Sequence, residues 1–172
     1  MIDFIKIEAT EKQQVFTKME AILLEQGLVI DRKDFNRPWG GFFVIEEEQA
    51  AAFAARYFPN SDFGELVGEG KVSPKILVVA PEKRLSWQYH HRRSEVWRVV
   101  GGSVGIVRSE TDKQSELEKL KEGDLVVLKK GERHRLVGLE GFGIVAEIWQ
   151  HTDADNPSDE NDIVRLQDDF GR

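Results

Sequence analysis

Gln88-Tyr89-His90-His91-Arg92-Arg93-Ser94-Glu95 lies mid-chain between two runs with strand character, residues 85–90 and 96–100. Residues two apart on a strand face the same side, so Gln88 and His90 present their side chains to one cavity. Glu95 follows across a turn, at the start of the next strand, and can close over the same point. Gly123-(x)5-Lys129-x-Gly131-x-x-His134 then brings a second imidazole, after a glycine-containing turn, from the facing sheet. Neutral imidazoles, one carboxylate and one amide oxygen suit zinc or another borderline divalent ion.

Outward from this stretch, the pattern predicts further short strands over residues 75–79, 104–108, 124–128, 135–138 and 143–150. Gly101-Gly102 and Glu140-Gly141 read as tight hairpins, and residues 109–122 as a solvated excursion. Closely spaced short strands point to a barrel or sandwich rather than a βαβ fold. The first third reads as helical. Val15, Phe16, Met19, Ile22 and Leu23 recur at helical spacing behind a Thr10/Gln13 capping box, with Gly27 as the stop. A second helix is expected over residues 46–57, with its glutamates at the positive end of the helix dipole. Asn36-Arg37-Pro38-Trp39-Gly40-Gly41 reads as the loop between them. The expected organisation is one structural domain. Residues 1–72 form a helical extension, residues 73–172 a barrel, and the acidic tail (residues 153–172) is anchored through Ile163-Val164.

Composition narrows the function. A chain of 172 residues suits one core. With no cysteine, disulfides and thiolate metal sites are excluded. A formal net charge of −7 argues against a general nucleic-acid or anionic-membrane surface. Residues 1–8 lack the features of a leader and no apolar run approaches a bilayer span, so a cytoplasmic location is expected. Against the acidic average, Arg84, His90, His91, Arg92 and Arg93 crowd one segment, and Lys129, Lys130, Arg133, His134 and Arg135 another. If they meet, they form a cationic pocket for a small anion.

The two spacings resemble those of the cupin superfamily, His-x-His-(x)4-Glu-(x)6-Gly and Gly-(x)5-Pro-x-Gly-(x)2-His. Gln88 replaces the first His, Lys129 replaces the Pro, and Gly138 stands where Asn is usual. Leu85-Ser86-Trp87-Gln88-Tyr89-His90-His91-Arg92-Arg93-Ser94-Glu95-Val96-Trp97 is further similar to the signature of type II mannose-6-phosphate isomerases. So are Arg37-Pro38-Trp39-Gly40, residues 131–136, Glu147-Ile148-Trp149-Gln150, Asp162-Ile163-Val164-Arg165 and residues 168–172. Trp87 and Val96 stand where the family usually has Leu and often has His. The guanylyltransferase domain that usually precedes this module finds no counterpart in these residues, and residues 46–72 look like an addition to the minimal module.

The resemblance implies a mainly β, double-stranded β-helix (a cupin, or jelly-roll, barrel) with N-terminal α-helices. It implies a divalent metal on Gln88, His90, Glu95 and His134, zinc first, with Mn, Co, Fe and Ni as alternatives. The implied activity is aldose–ketose isomerisation of mannose 6-phosphate and fructose 6-phosphate through an enediol. Glu147 would be the base, and Arg135 and Arg165 would bind phosphate or enediolate. A small phosphosugar is the expected partner, with a homodimer through edge strands. The alternatives are a cupin isomerase or epimerase of another sugar, an iron dioxygenase, and a non-catalytic sugar-binding cupin. The plainer readings are a clamp on the tail for Arg165, a solvated turn for Arg92 and Arg93, and core or pocket wall for Trp39 and Trp97.

Overall fold

The computed structural model describes residue 2, residues 4–61 and residues 71–171. Residues 1, 3, 62–70 and 172, and so parts of the expected leader-free start, the 46–72 addition and the tail, lie outside the described residues. Helix α1 spans Lys12–Glu25 and α2 spans Ala50–Tyr57. The strands, in chain order, are β1 Ile30–Arg37, β2 Gly40–Ile45, β3 Lys75–Val79, β4 Trp87–Tyr89, β5 Arg93–Gly101, β6 Ser103–Ser109, β7 Glu118–Lys121, β8 Leu125–Leu128, β9 Arg133–Gly138, β10 Gly143–His151 and β11 Val164–Gln167. They form a six-stranded sheet, β1-β2-β3-β10-β5-β8, facing a five-stranded one, β11-β4-β9-β6-β7.

Strand parity separates two cores. Ile76, Val78, Val96, Ile144, Ala146 and Ile148 point out of the larger sheet and pack against Val15, Phe16, Met19 and Leu23 of α1 and Phe53 and Tyr57 of α2. Their neighbours Leu77, Val79, Trp97, Val99 and Val145 point inward and meet Val104, Ile106 and Leu136 of the smaller sheet. Burying both faces explains why β3 reads as an unbroken apolar run after Lys75.

Several expectations are corrected. The first third is not all helix, because Asn36–Gly41 is the turn region of the β1–β2 hairpin, and β2 pairs with β3 so that the sheet runs across residue 72. An apolar Gly40–Ile45 run, buried at most positions, looks like helix or strand when read alone. The α1 N-cap is Glu11 with no side-chain hydrogen bond, so the Thr10/Gln13 box does not form, whereas Gly27 does take the left-handed conformation, at φ 74°. The glutamates before α2 lie at and within a 3-10 turn, Glu47–Gln49. The 109–122 excursion contains β7, and the tail contains β11. Neither Gly101-Gly102 nor Glu140-Gly141 closes a hairpin. Each carries the chain from one sheet to the other, since β5 does not pair with β6 nor β9 with β10. Among the described residues, no helix is long and apolar enough to cross a membrane.

Candidate metal centre

The inward parity that builds the inner core also builds the site. Toward one end of the barrel the inward positions turn polar, with Glu95 on β5, Lys75 on β3, Glu147 on β10 and His134 on β9. The β5/β10 register sets Glu95 opposite Trp149 and Trp97 opposite Glu147. Each carboxylate accepts an indole N–H from the residue two further along its own strand, Trp97 Nε1 to Glu95 Oε2 at 3.2 Å and Trp149 Nε1 to Glu147 Oε1 at 2.9 Å.

His90, Glu95 and His134 converge, with one ligand atom from each lying within 4.8 Å of the others. His90 Nδ1 lies 2.6 Å from the Asp162 carbonyl and His134 Nδ1 lies 2.9 Å from the Glu132 carbonyl. A carbonyl only accepts, so both Nδ1 atoms carry a proton and both Nε2 atoms are turned inward, where they can coordinate once deprotonated. Those Nε2 atoms stand 3.1 Å and 3.5 Å from the two Glu95 oxygens. A tetrahedral ion about 2.0–2.1 Å from each ligand would space ligand atoms roughly 3.3 Å apart, so the group fits a divalent metal. The buried His134 Nε2 also has no hydrogen-bond partner. Besides Glu95, His90 Nε2 meets a long 3.3 Å contact from Arg93 Nη2, which a metal would displace. Burial opposes the Glu95 charge, but His90, Arg93 and His134 together hold its carboxyl well below 4.5.

Beside this group lies a cavity of about 140 Å³, lined by Gln88, Arg93, Glu95, Glu147 and Trp149 among others. Burial first, and the Glu95 charge second, push Glu147 up to about 7 against the pull of Lys75 and Arg93. Lys75 Nζ sits 3.4 Å from Glu160 and 3.9 Å from Glu147. Both Lys75 Nζ and the Arg93 guanidinium lie 3.7 Å from the centre of the Trp149 ring. Cations Arg37, Lys75, Arg93 and Arg165 outnumber anions Glu95, Glu147 and Glu160 in the lining, four to three.

The expected residues are brought together unevenly. Gln88 lies in the cavity wall opposite His134, its Oε1 accepting from Ser86 Oγ at 2.5 Å. Glu147 and Arg165 also reach the cavity. Arg135 does not. It follows His134 on β9, so parity sends it to the opposite face, where its Nε donates to the Leu85 carbonyl at 3.0 Å. The two basic segments therefore do not form one cationic pocket. Arg84 pairs with Asp169, Arg92 with Asp159 and Arg133 with Asp112. Arg93 turns inward and holds Glu95 Oε1 at 2.9 Å, which corrects its reading as a solvated turn. Sequence reasoning gave no site role to Arg37, Lys75, Trp149 or Glu160, and took Arg93 only as one member of a basic run. The repeated Glu-x-Trp, at Glu95-Val96-Trp97 and Glu147-Ile148-Trp149, was the visible signal for part of this set.

Residues 46–168 match the sequence model of the family described as "Mannose-6-phosphate isomerase C-terminal". The chain belongs to that family. Among curated relatives, it is 28% identical over 83% of its length to "Mannose-1-phosphate guanylyltransferase" of Salmonella montevideo, covering 24% of that protein. It is 29% identical over 79% of its length to "Xanthan biosynthesis protein XanB" of Xanthomonas campestris, covering 23% of it. The chain thus spans about a quarter of the length of the curated relatives it matches. The oxalate decarboxylase of Lactobacillus farciminis, solved as a formate complex, matches with a TM-score of 0.54 at 12% identity, over 78% of this chain and 33% of that one. That likeness shows the fold alone, a cupin double-stranded β-helix.

Departures from the mannose-6-phosphate isomerase C-terminal pattern have local causes. A Cβ at Gly138 would sit 1.9 Å from the Ala80 carbonyl oxygen, so Asn has no room there. The Lys129 N–H donates to Glu132 Oε2 at 2.8 Å, a bond Pro would lack. Trp87 points away from the cavity and donates to the Asp112 carbonyl at 2.8 Å. Val96 faces the helices and packs in their core.

Proposed function

We propose that this domain is a metal-dependent sugar-phosphate isomerase that interconverts mannose 6-phosphate and fructose 6-phosphate through an enediol. The observation that carries the reading is a His-Glu-His group whose Glu95 lines the same cavity as a separate buried carboxylate, Glu147, held near 7. His90, Glu95, His134 and Gln88 would hold the ion, zinc first. When bound, it would supply Lewis-acid polarisation of the sugar's carbonyl and steady the developing oxyanion.

Glu147 takes the proton from C2 of the aldose and returns it to C1, while the O2 hydroxyl proton passes to O1, which yields the ketose with no net gain or loss of protons. In the metal-free site a carboxyl near 7 is populated in both forms at neutral pH, and a group that must take and give the same proton needs both. The Trp149 indole fixes its Oε1, and Lys75 and Arg93 balance the site's negative charge. Arg165, exposed on β11 at the cavity, suits the phosphate because guanidinium matches an oxyanion in a bidentate way. A cavity of about 140 Å³ is small beside the roughly 300–1,000 Å³ of drug-sized sites, which favours a single sugar ring over a nucleotide sugar.

The test is a coupled isomerase assay on mannose 6-phosphate, with zinc, manganese or cobalt added and a chelated control. Turnover that depends on metal is expected. Folded, metal-loaded protein that turns over no phosphosugar would overturn the proposal.

A further inference from the structure

His90 and Glu95 are not oriented by the barrel alone. The Asp162 carbonyl receives the His90 Nδ1 proton at 2.6 Å, which aims the Nε2 lone pair inward. The Asp162 carboxylate accepts the backbone N–H groups of His91 and Arg92 at 3.0 Å and 2.9 Å, and the Ser158 hydroxyl at 2.6 Å. Arg93 links the same turn to the other ligand. Its Nε donates to Glu95 Oε1, while Nη1 donates to Ser158 Oγ at 3.0 Å and to the Asp159 carbonyl at 3.1 Å. Ser158 is itself tied down, its N–H reaching His151 Nδ1 at 2.9 Å. Ser158 and Asp162 are each 6% exposed, so these bonds compete little with water. Past the turn, Ile163 and Arg165 join the cavity lining, and Arg165 pairs in register with Gln88.

We infer that residues 158–162 form a clasp that orients two of the three grouped ligands, so that docking of the C-terminal segment and loading of the metal centre are coupled. Asp162, Ser158 and Arg93 are its positioning residues. A tail needing only an anchor could bond to any exposed strand edge. Here five bonds from Ser158, Asp159 and Asp162 converge on residues 90–93, within the segment that carries both ligands. His134 lies outside the clasp, since the Glu132 carbonyl holds its Nδ1. The inference rests on the reading that His90, Glu95 and His134 hold a metal. By linkage, whatever the docked clasp adds to metal affinity, bound metal must add to docking.

The experiment compares the full chain with Asp162→Ala and Asp162→Asn. Zinc affinity is measured by competition with a chromophoric chelator, and ligand geometry by the visible spectrum of the cobalt-loaded protein. Asp162→Ala is expected to bind zinc about 10–100-fold more weakly and to alter the cobalt spectrum. Asp162→Asn, which keeps one oxygen acceptor, should fall between it and the parent. Hydrogen exchange on the unsubstituted chain tests the coupling without any variant, and saturating zinc should slow exchange of the β11 amides. Zinc affinity within twofold of the parent and an unchanged spectrum in folded Asp162→Ala would overturn the clasp while leaving the metal site intact. So would β11 exchange indifferent to zinc. No metal uptake by the parent chain would overturn the metal reading and the clasp with it.

Discussion

Glu147 carries two consequences of one burial. Its carboxyl is held at about 7 instead of 4.5, so the folded chain binds this proton more tightly than the unfolded chain does. The resulting stabilisation is complete below pH 4.5 and is lost as the pH rises through 7. Glu147→Gln removes the charge that must be buried above that window. In chelator-treated protein the melting temperature of the variant, relative to the parent, should therefore rise between about pH 5 and about pH 8. The same variant in metal-loaded protein should lose about 10²–10⁴-fold in kcat, because an amide cannot take the C2 proton. A variant with parental kcat would remove Glu147 from the role of base. Arg135 shows the residue scale misread, since parity from His134 already sends it outward.

At the scale of elements, the close approach of β9 to the turn after β3 holds the wall that carries His134. Gly138 N–H donates to the Lys83 carbonyl at 2.6 Å, and its missing Cβ leaves room for the Ala80 carbonyl. Gly138→Ala should destabilise the fold by about 1–3 kcal/mol through overpacking against backbone, read by denaturant unfolding. A change within a few tenths would show that the strands can part without cost. The 129–132 turn meets the first motif directly, as Gly131 N–H donates to the His90 carbonyl at 2.9 Å. The β1–β2 hairpin was hidden in the sequence, because its strand β1 is mostly polar and buries no residue fully while β2 is nearly all buried. Neither shows the alternation that marks a half-buried strand.

For the whole molecule, metal binding and folding would be linked, because His134 lies far along the chain from His90 and Glu95 and joins them only when it is folded. An ion that binds only the folded state stabilises it by about 2.7 kcal/mol at a hundredfold excess over Kd. For a chain of this size that raises Tm by about 5–10 °C, reversibly on chelation. Scanning calorimetry with zinc and then excess chelator checks this, and an unchanged Tm would count against a folded-state metal site.

The spacing of Gln88, His90, Glu95 and His134 and the run of short strands were legible in the sequence, because strand parity and motif spacing are local properties. Glu147 was picked out by the resemblance alone, and its inward placement came with the register of β10. Only the tertiary structure decided which cations reach the cavity. Arg93 and Arg92 are adjacent, yet one holds Glu95 and the other faces Asp159. Lys75 opens an apolar strand and became a site residue only because β10 sets Glu147 beside it. Likewise, Asp162 reaches His90 across 72 residues of chain, a contact made by the return of the tail along β4 and by no local pattern.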